Sequence, residues 1–365
     1  MSATDGGGGR GGAKPTVVVV FNQKGGIGKT TTSVNLAVGL AALGREVILV
    51  DLDAQSNATT SVGLSSPAAT GAYQLLRGEV DVSHACRPTP YPNLRLVAGS
   101  DDLSWADVEI AVKPEPQYVL ERALETTPAD VDVVVIDCPP AFGILSVNAA
   151  VAADVVILPV VPSPMALDGL HKAWWNIQRV RKHFNRDLDT MAILFTMTEE
   201  SELMHRLTEA IMASFGGRVL PVMVPRDLKV IEAAARDIPL VVLDPETPAA
   251  QAYLRLAELA LTRLIGTGNR ELPEGARDRA MGVLREWRKP RPVSHEPGAL
   301  PPVHESPAVE PGPQPGPNWD EEIAANSDQM PLVTGLGWKI GVAVMLVALG
   351  SVLGFAFGRW MYLPL

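Results

Sequence analysis

The residues best suited to chemistry lie together near the start of the chain, in the stretch Lys24-Gly25-Gly26-Ile27-Gly28-Lys29-Thr30-Thr31. Glycines at three of these positions allow backbone N–H groups to surround an anion without interference from Cβ atoms. A lysine directly after such a loop reaches phosphate oxygens, and the next threonine hydroxyl is a ligand for Mg²⁺. The spacing therefore predicts a nucleotide phosphate site in which Lys29 contacts the outer phosphates and Thr30 holds the metal ion.

Two apolar segments flank this loop and predict the elements that position it. Val17 to Phe21 is a continuous apolar run of strand length, and Val34 to Leu43 has helical periodicity. A strand, a glycine loop and a helix start, in that order, direct the positive end of the helix dipole at the bound anion. The common pattern G-x-x-x-x-G-K-[ST] is not fully met, because Gln23 stands where its first glycine belongs and Lys24 adds a second lysine.

Three later segments carry further polar residues next to apolar runs. The first, D-L-D-A-Q-S-N-A-T, begins at Asp51 and includes Asp53. The second is an apolar run that ends at Asp137, and the third, V-P-R-D-L-K, contains Pro225 and Arg226. Because the carboxyl ends of parallel strands meet at one edge of a sheet, we expect the three aspartates to lie near the phosphate loop.

Together these motifs resemble those of the ParA/MinD ATPases, whose phosphate loop is a deviant Walker A motif. The stretch that begins at Asp51 is similar to D-L-D-P-Q-G-N-x-T of ParA proteins, with Ala54 and Ser56 as departures, and the run that ends at Asp137 resembles their Walker B strand. The motifs follow the family order over roughly residues 15–265. The resemblance implies a P-loop ATPase that uses ATP and Mg²⁺.

The resemblance also implies a role for each site residue. Lys24, Lys29 and Asp53 would be catalytic: Lys24 would reach the nucleotide of a second protomer, and Asp53 would orient or activate the attacking water. Asp51 and Asp137 would join Thr30 on the metal side, Asp137 through the water shell of Mg²⁺. The residues expected to contact the nucleotide are Gly25, Gly26, Ile27, Gly28, Lys29, Thr30, Thr31, Pro225 and Arg226. We therefore predict an ATP-dependent homodimer and a protein partner that stimulates hydrolysis.

The hydrophobic pattern predicts an α/β fold. Seven apolar runs are continuous rather than alternating, which indicates strands of a mostly parallel sheet with helices on both faces. The predicted strands are 16–22, 46–51, 94–98, 131–137, 155–159, 191–196 and 218–224. The two cysteines, Cys86 and Cys138, offer neither a disulfide framework nor a zinc site, and we interpret Cys138 as a buried packing thiol.

The composition changes outside the predicted ATPase domain, which we place at residues 16–265. Residues 1–15 are a glycine-rich leader that we predict to be disordered. Residues 266–289 predict a basic helical extension that either docks on the domain or lies on an anionic membrane surface. Residues 290–334 are proline-rich and predict a disordered linker.

The last long segment, residues 335–360, predicts a transmembrane helix before a short tail at 361–365. Ile340 to Gly358 is a run of 19 residues without a charge. At about 1.5 Å per residue this run is about 28 Å long, close to the hydrocarbon thickness of a bilayer of about 30 Å. Aromatic and basic residues at both ends are typical of interfacial anchors. We predict a single-pass protein of the inner cell membrane, anchored at its C-terminus in the lipid bilayer, with a cytoplasmic ATPase domain.

These features favour a membrane-anchored ParA-like ATPase that partitions, positions or regulates a cargo or an envelope complex. One alternative is a DNA-binding chromosome or plasmid partitioning ATPase tethered to the membrane. Glu246 argues against DNA as a partner, because relatives that segregate DNA commonly carry arginines in this segment and a carboxylate repels phosphate. The net charge of −10 and the pI near 5.2 argue in the same direction. A second alternative is an ATPase that regulates polysaccharide synthesis or export.

Overall fold

Eight strands form one sheet in the computed structural model, which describes residues 14–64, 70–188, 190–265 and 272–288. In chain order they are β1 Thr16–Val20, β2 Val47–Asp51, β3 Cys86–Pro88, β4 Leu94–Val97, β5 Val133–Asp137, β6 Val155–Val160, β7 Thr190–Thr198 and β8 Val219–Pro225. Their order across the sheet is β3-β4-β2-β5-β1-β6-β7-β8, and every neighbouring pair is parallel except β3 with β4. The predicted mostly parallel α/β fold is confirmed.

The seven predicted strands all form, and the strand that the sequence pattern missed is β3. It is three residues long, lies at the edge of the sheet and pairs antiparallel with β4. Its side chains are half-buried or exposed, and it ends in Pro88, which an edge strand tolerates because its N–H is not needed by a further neighbour. So short a segment has no periodicity from which a strand could be predicted.

Helices cover both faces of the sheet. The α-helices are α1 Lys29–Ala42, α2 Asn57–Ser61, α3 Ala72–Arg77, α4 Val82–Ala85, α5 Leu103–Ala111, α6 Val119–Leu124, α7 Ile144–Ala152, α8 Ala166–His183, α9 Glu202–Phe215, α10 Lys229–Ala235, α11 Leu240–Leu243, α12 Pro248–Leu259 and α13 Ala276–Trp287. Short 3₁₀ turns lie at Pro116–Tyr118 and Gly216–Arg218, and a π-helical turn at Ala260–Leu264 follows α12.

Side chains that alternate along the strands enter two separate hydrophobic cores. On β1, Val18 belongs to the core beneath α1 and α12, whereas Val17 and Val19 belong to the core beneath α7 and α8. Helix α1 is buried around most of its circumference, and a Cβ atom at Gly39 would lie 3.0 Å from the Cβ atom of Ala257 on α12. This close packing fixes α1, and with it the phosphate loop at its N-terminus.

The basic extension predicted at 266–289 contains α13, which docks on the ATPase domain. Its apolar side, with Ala280, Leu284 and Trp287, is buried in the same core as α1. The rings of Trp287 and Tyr91 are 5.6 Å apart. Of the two arrangements left open by the sequence, the structure therefore shows the docked helix.

Several predicted segments lie outside the described residues. These are most of the leader, the proline-rich linker, the transmembrane helix at 335–360 and the tail at 361–365. Within the described ranges, no helix has the length and apolar character needed to cross a membrane.

Replacement of Trp287 by alanine should lower the free energy of unfolding by about 3 kcal/mol, because it removes a large side chain from the core. Urea denaturation followed by circular dichroism measures this change. The matched control is Trp175→Ala on α8, where the indole is 67% exposed and a change within about 0.5 kcal/mol is expected. Equal stability of the two variants would show that α13 does not contribute to the core in solution.

Candidate nucleotide-binding site

The phosphate loop connects the end of β1 to the start of α1, as predicted. Gly26 and Gly28 adopt positive φ angles of 70° and 84°, a backbone region that a side chain disfavours. Gly28 is also the N-cap of α1, so the unpaired N–H groups of the first helical turn are directed toward the loop. Ile27 is buried, and its carbonyl accepts a hydrogen bond of 2.9 Å from the Thr196 hydroxyl of β7.

The two lysines of the loop have different environments. The Lys29 side chain is buried, and its Nζ donates a hydrogen bond of 3.1 Å to the carbonyl oxygen of Lys24. Burial lowers the pKa of Lys29, an effect that the nearby carboxylates of Asp137 and Asp53 oppose. Lys24 is exposed, and its backbone N–H donates to Asn22 Oδ1 at 3.3 Å. Lys29 is therefore oriented across its own loop, whereas the Lys24 side chain is exposed to solvent.

Asp137 at the end of β5 joins the strand to the start of α1. Its Oδ2 accepts a hydrogen bond of 2.7 Å from the Thr30 hydroxyl, and its Oδ1 accepts one of 2.8 Å from the Ser33 hydroxyl. The carboxyl group is fully buried, which raises its pKa to about 7, and the charge of Asp51 adds to this effect. Sequence reasoning missed Ser33, although its position three residues after Thr30 places both hydroxyls on one side of the helix.

Asp51 at the end of β2 is held by backbone and side-chain donors. Its Oδ2 accepts hydrogen bonds of 2.8 Å from both the backbone N–H and the hydroxyl of Thr59, and its Oδ1 accepts one of 3.1 Å from the backbone N–H of Asp53. Burial raises its pKa to about 6. Thr59 in turn accepts from the backbone N–H of Gly99 at 2.9 Å. Asp51 thus fixes the segment that carries Asp53. Thr59, the last residue of the predicted motif, binds Asp51, a contact that the sequence did not predict.

Asp53 follows β2 and is only partly buried. Its Oδ1 accepts a hydrogen bond of 3.0 Å from the backbone N–H of Gln55, which leaves Oδ2 available. The next turn contains Ser56 with a positive φ of 53°. The structure brings Asp53 within electrostatic range of Lys29, as expected for a group beside the phosphates, and its role in orienting water stays a prediction.

The residues around Asp137 fit a magnesium ion bound together with a nucleotide. Thr30 and Asp137 supply the oxygen donors that Mg²⁺ prefers, and they lie beside a loop whose glycines leave open space: no atom lies within 4 Å of a Cβ built at Gly25 or Gly26. Among the described residues no cluster of three or more His, Cys, Asp or Glu could hold a metal by itself.

Pro225 and Arg226 lie at the end of β8, at the same sheet edge. In this position β8 is three strands from β1, a distance of roughly 14 Å across the sheet. The Arg226 side chain is exposed and donates to Glu199 at 2.7 Å, while its backbone N–H donates to Thr198. Contact of Pro225 and Arg226 with the adenine stays a prediction. Nearer the loop, the buried Tyr253 hydroxyl lies 3.9 Å from a Cβ built at Gly28.

Cys138 follows Asp137 and is fully buried in the core beneath α7 and α8. Burial raises the pKa of its thiol well above the usual range, so the thiol stays protonated and packs as an apolar group. The interpretation of Cys138 as a packing residue is confirmed.

Comparison with known proteins agrees with this geometry. A family model described as an AAA domain matches residues 15–190. The chain is 35% identical over 244 residues to the sporulation initiation inhibitor protein Soj of Bacillus subtilis, an alignment that covers 66% of this chain and 96% of Soj. The chain belongs to the ParA/MinD family of P-loop ATPases. It is also 36% identical over 251 residues to the chromosome partitioning protein ParA of Caulobacter vibrioides, covering 68% and 94% of the two chains.

A solved structure shows the same fold with the cofactors in place. Cobyrinic acid a,c-diamide synthase from Mycobacterium smegmatis with bound ADP and magnesium superposes with a TM-score of 0.62 and 29% identity, over 71% of this chain and 98% of the synthase. As a member of this family, the protein is an ATPase, and the predicted cofactors ATP and Mg²⁺ are confirmed.

The raised pKa values of Asp137 and Asp51 predict how stability depends on pH in the protein without nucleotide. Between about pH 4 and 7 the folded state retains protons that the unfolded chain releases, so the free energy of unfolding falls as pH rises. Asp137→Asn removes one of these groups and should reduce the fall by more than about 1 kcal/mol. Urea denaturation across this pH range measures the difference.

The control for this prediction is Asp102→Asn, at an exposed aspartate on the surface before α5. It should reproduce the pH dependence of the wild type. If Asp137→Asn also does so, Asp137 does not retain its proton in the folded protein between about pH 4 and 7.

Proposed function

We propose that this protein is a membrane-anchored ParA-like ATPase that dimerises on ATP, returns to the monomer on hydrolysis to ADP and phosphate, and thereby partitions, positions or regulates a cargo or an envelope complex. The observation that carries the dimer is the contrast between the two loop lysines. Lys29 is turned into its own site, whereas the Lys24 side chain is exposed and has no hydrogen-bond or ion-pair partner among the described residues.

An exposed cation at the edge of a phosphate site has a chemical use when a second copy supplies the phosphates. The backbone N–H of Lys24 donates to Asn22 Oδ1, and Asn22 Nδ2 donates to the Pro159 carbonyl at 2.8 Å, so the backbone at Lys24 is fixed. A cation delivered from a second protomer stabilises charge that develops on the transferred phosphoryl group. In this arrangement ATP joins the two protomers, and its hydrolysis releases them. A protein partner that completes the site would set the rate of hydrolysis.

The membrane part of the proposal is supported by the uncharged run from Ile340 to Gly358 and its flanking aromatic and basic residues. An anchor confines the ATPase domain to a layer beside the bilayer, so that two copies meet at high local concentration. Glycines at 350, 354 and 358 recur every four residues and allow two such helices to approach closely.

A second candidate function, DNA partitioning with a membrane tether, is favoured by one observation. Glu246 forms an ion pair with Arg285 of α13, which neutralises the carboxylate expected to repel phosphate. The relatives from Bacillus and Caulobacter are named for sporulation inhibition and chromosome partitioning. The test of dimerisation therefore includes DNA.

Light scattering coupled to size exclusion should show a monomer with ADP and a dimer with ATP for residues 1–292. These residues contain every described element and both cores. Asp53→Ala should bind ATP and remain dimeric, with hydrolysis reduced at least 100-fold, because no carboxylate orients the water. Lys24→Ala should bind ATP and stay monomeric, whereas Lys29→Ala should bind no nucleotide.

Addition of duplex DNA to the ATP-bound sample separates the two candidates. A dimer that ignores DNA supports positioning of a protein cargo, and a dimer that elutes with DNA supports partitioning. An ATP-bound monomer for the wild type, or full turnover by Asp53→Ala, would contradict the proposed cycle.

The membrane anchor predicts that the full-length chain resists extraction from cell membranes by alkaline carbonate. Val347→Arg combined with Leu349→Arg places two charges near the middle of the span, each costing about 3 kcal/mol on insertion, and should move the protein to the soluble fraction. Ala308→Arg with Pro311→Arg in the linker is the control and should stay in the membrane. Full extraction of the wild-type chain would contradict the anchor.

A further inference from the structure

A basic stripe runs along the exposed side of α8. We use the name α8 stripe for Lys172, Trp175, Arg179, Lys182 and Arg186, all of which are exposed. The four positions within the helix are three or four residues apart, so at 100° per residue they lie within an arc of about 80°. Arg186 follows the helix and lines the same open cavity, of about 910 Å³, as Trp175, Arg179 and Lys182.

The opposite side of α8 is buried, which fixes the orientation of the stripe on the domain. Leu170, Ala173, Ile177 and Val180 are buried against the sheet in the core beneath α7 and α8. Trp174, beside the stripe, is covered by Phe215 and Arg218, with centroid distances of 5.3 Å and 4.8 Å. The stripe is therefore a fixed surface of the domain rather than one side of a detachable helix.

Asp168 is an exposed carboxylate on the same side of α8, one turn before Lys172, but it forms no ion pair with the cations of the stripe. In the described ranges, no Asp or Glu forms an ion pair with Lys172, Arg179, Lys182 or Arg186, although exposed arginines elsewhere, such as Arg226 and Arg236, do form such pairs. Four unpaired cations on one side of a chain with a net charge of −10 form a local site for an anionic surface.

The central residue of the stripe decides between the classes of anionic partner. Trp175 is 67% exposed, and Phe184 beside the end of the helix is 43% exposed. An indole surrounded by lysine and arginine is favourable at the headgroup layer of a bilayer, where its ring is partly buried and the cations contact lipid phosphates. Binding of single-stranded nucleic acid uses successive exposed aromatic platforms, whereas here Trp174 is half-buried and packs against Phe215 and Arg218.

We propose that the α8 stripe binds the anionic headgroup surface of a lipid bilayer and orients the ATPase domain on it. This inference rests on the proposed membrane anchor for its context. Residues 289–339 separate the described domain from the uncharged run, and these 51 residues reach about 180 Å at most. A domain held within that distance needs only a weak additional contact to adopt one orientation, because the membrane surface is always at high local concentration.

The test is flotation of residues 1–292 with vesicles, which separates the stripe from the anchor. This part contains all described elements and both hydrophobic cores, and it forms one compact unit. It should float with vesicles of equal parts phosphatidylcholine and phosphatidylglycerol at low salt, and not with phosphatidylcholine alone. High salt should weaken the binding, because exposed charges are screened.

Two variants of the stripe and one control variant test whether the stripe is the binding surface. Arg179→Glu with Lys182→Glu should reduce binding to anionic vesicles about tenfold or more, since each basic residue at a membrane surface contributes about fivefold. The control is Arg255→Glu with Arg263→Glu, which makes the same change of charge at exposed positions on and just after α12, on the other face of the sheet. It should bind as the wild type does. Trp175→Ala should weaken binding several-fold, with its folding unchanged.

The possible results support or overturn the proposed binding of the α8 stripe to lipid. Absence of wild-type binding to anionic vesicles, or equal loss in the stripe variant and the control, overturns the proposal. Binding of duplex DNA or of poly-aspartate that depends on Arg179 and Lys182, without vesicle binding, also overturns it and reassigns the stripe. Carbonate extraction of the full-length chain tests the anchor separately: an anchored chain whose domain ignores vesicles refutes the stripe alone, and an extractable chain whose domain floats refutes the anchor alone.

Discussion

The pairing of β5 with β1 on one side and β2 on the other is the constraint on which the site depends. The parallel register places Asp137 opposite Val20 at the end of β1 and opposite Asp51 at the end of β2. A carboxylate at this point receives the hydroxyls of the first turn of α1 and shares a buried environment with a second carboxylate. The desolvation that raises both pKa values makes a divalent cation favourable there, because a cation replaces the protons that otherwise relieve the repulsion.

The loop above this pair divides its functions between two lysines. The sequence G-G-I-G forces a turn that directs Lys29 back across the loop to the carbonyl of Lys24, so one residue supplies a backbone acceptor and, on its side chain, an exposed cation. Each protomer is therefore complete in its phosphate cradle and has a charge to offer a second copy. The proposed dimerisation on ATP rests on this division, because the phosphates of one nucleotide attract both cations.

The two faces of the sheet have different surroundings. On one face α1, α12 and α13 share a core, and Arg285 of α13 pairs with Glu246 before α12, which joins the C-terminal extension to the domain both by packing and by charge. On the other face α8 carries an exposed indole and cations that form no ion pair with any described residue. An anionic surface would meet the second face, while the nucleotide edge stays accessible to a second protomer and to a partner.

The sequence by itself determined seven of the eight strands and the phosphate loop, because continuous apolar runs and glycine spacing reflect local backbone requirements. The metal-side roles of Thr30, Asp51 and Asp137 stay predictions. The sequence also indicated the uncharged run near the C-terminus. Only the tertiary structure decided which hydroxyls donate hydrogen bonds to Asp137 and Asp51. Ser33 donates to Asp137, more than 100 residues away in the chain, and Thr59 donates to Asp51, eight residues away. The same holds for β3, for the docking of α13 and for the pairing of Glu246. These contacts depend on which surfaces pack together once the chain has folded, and a local pattern of residues does not predict that packing.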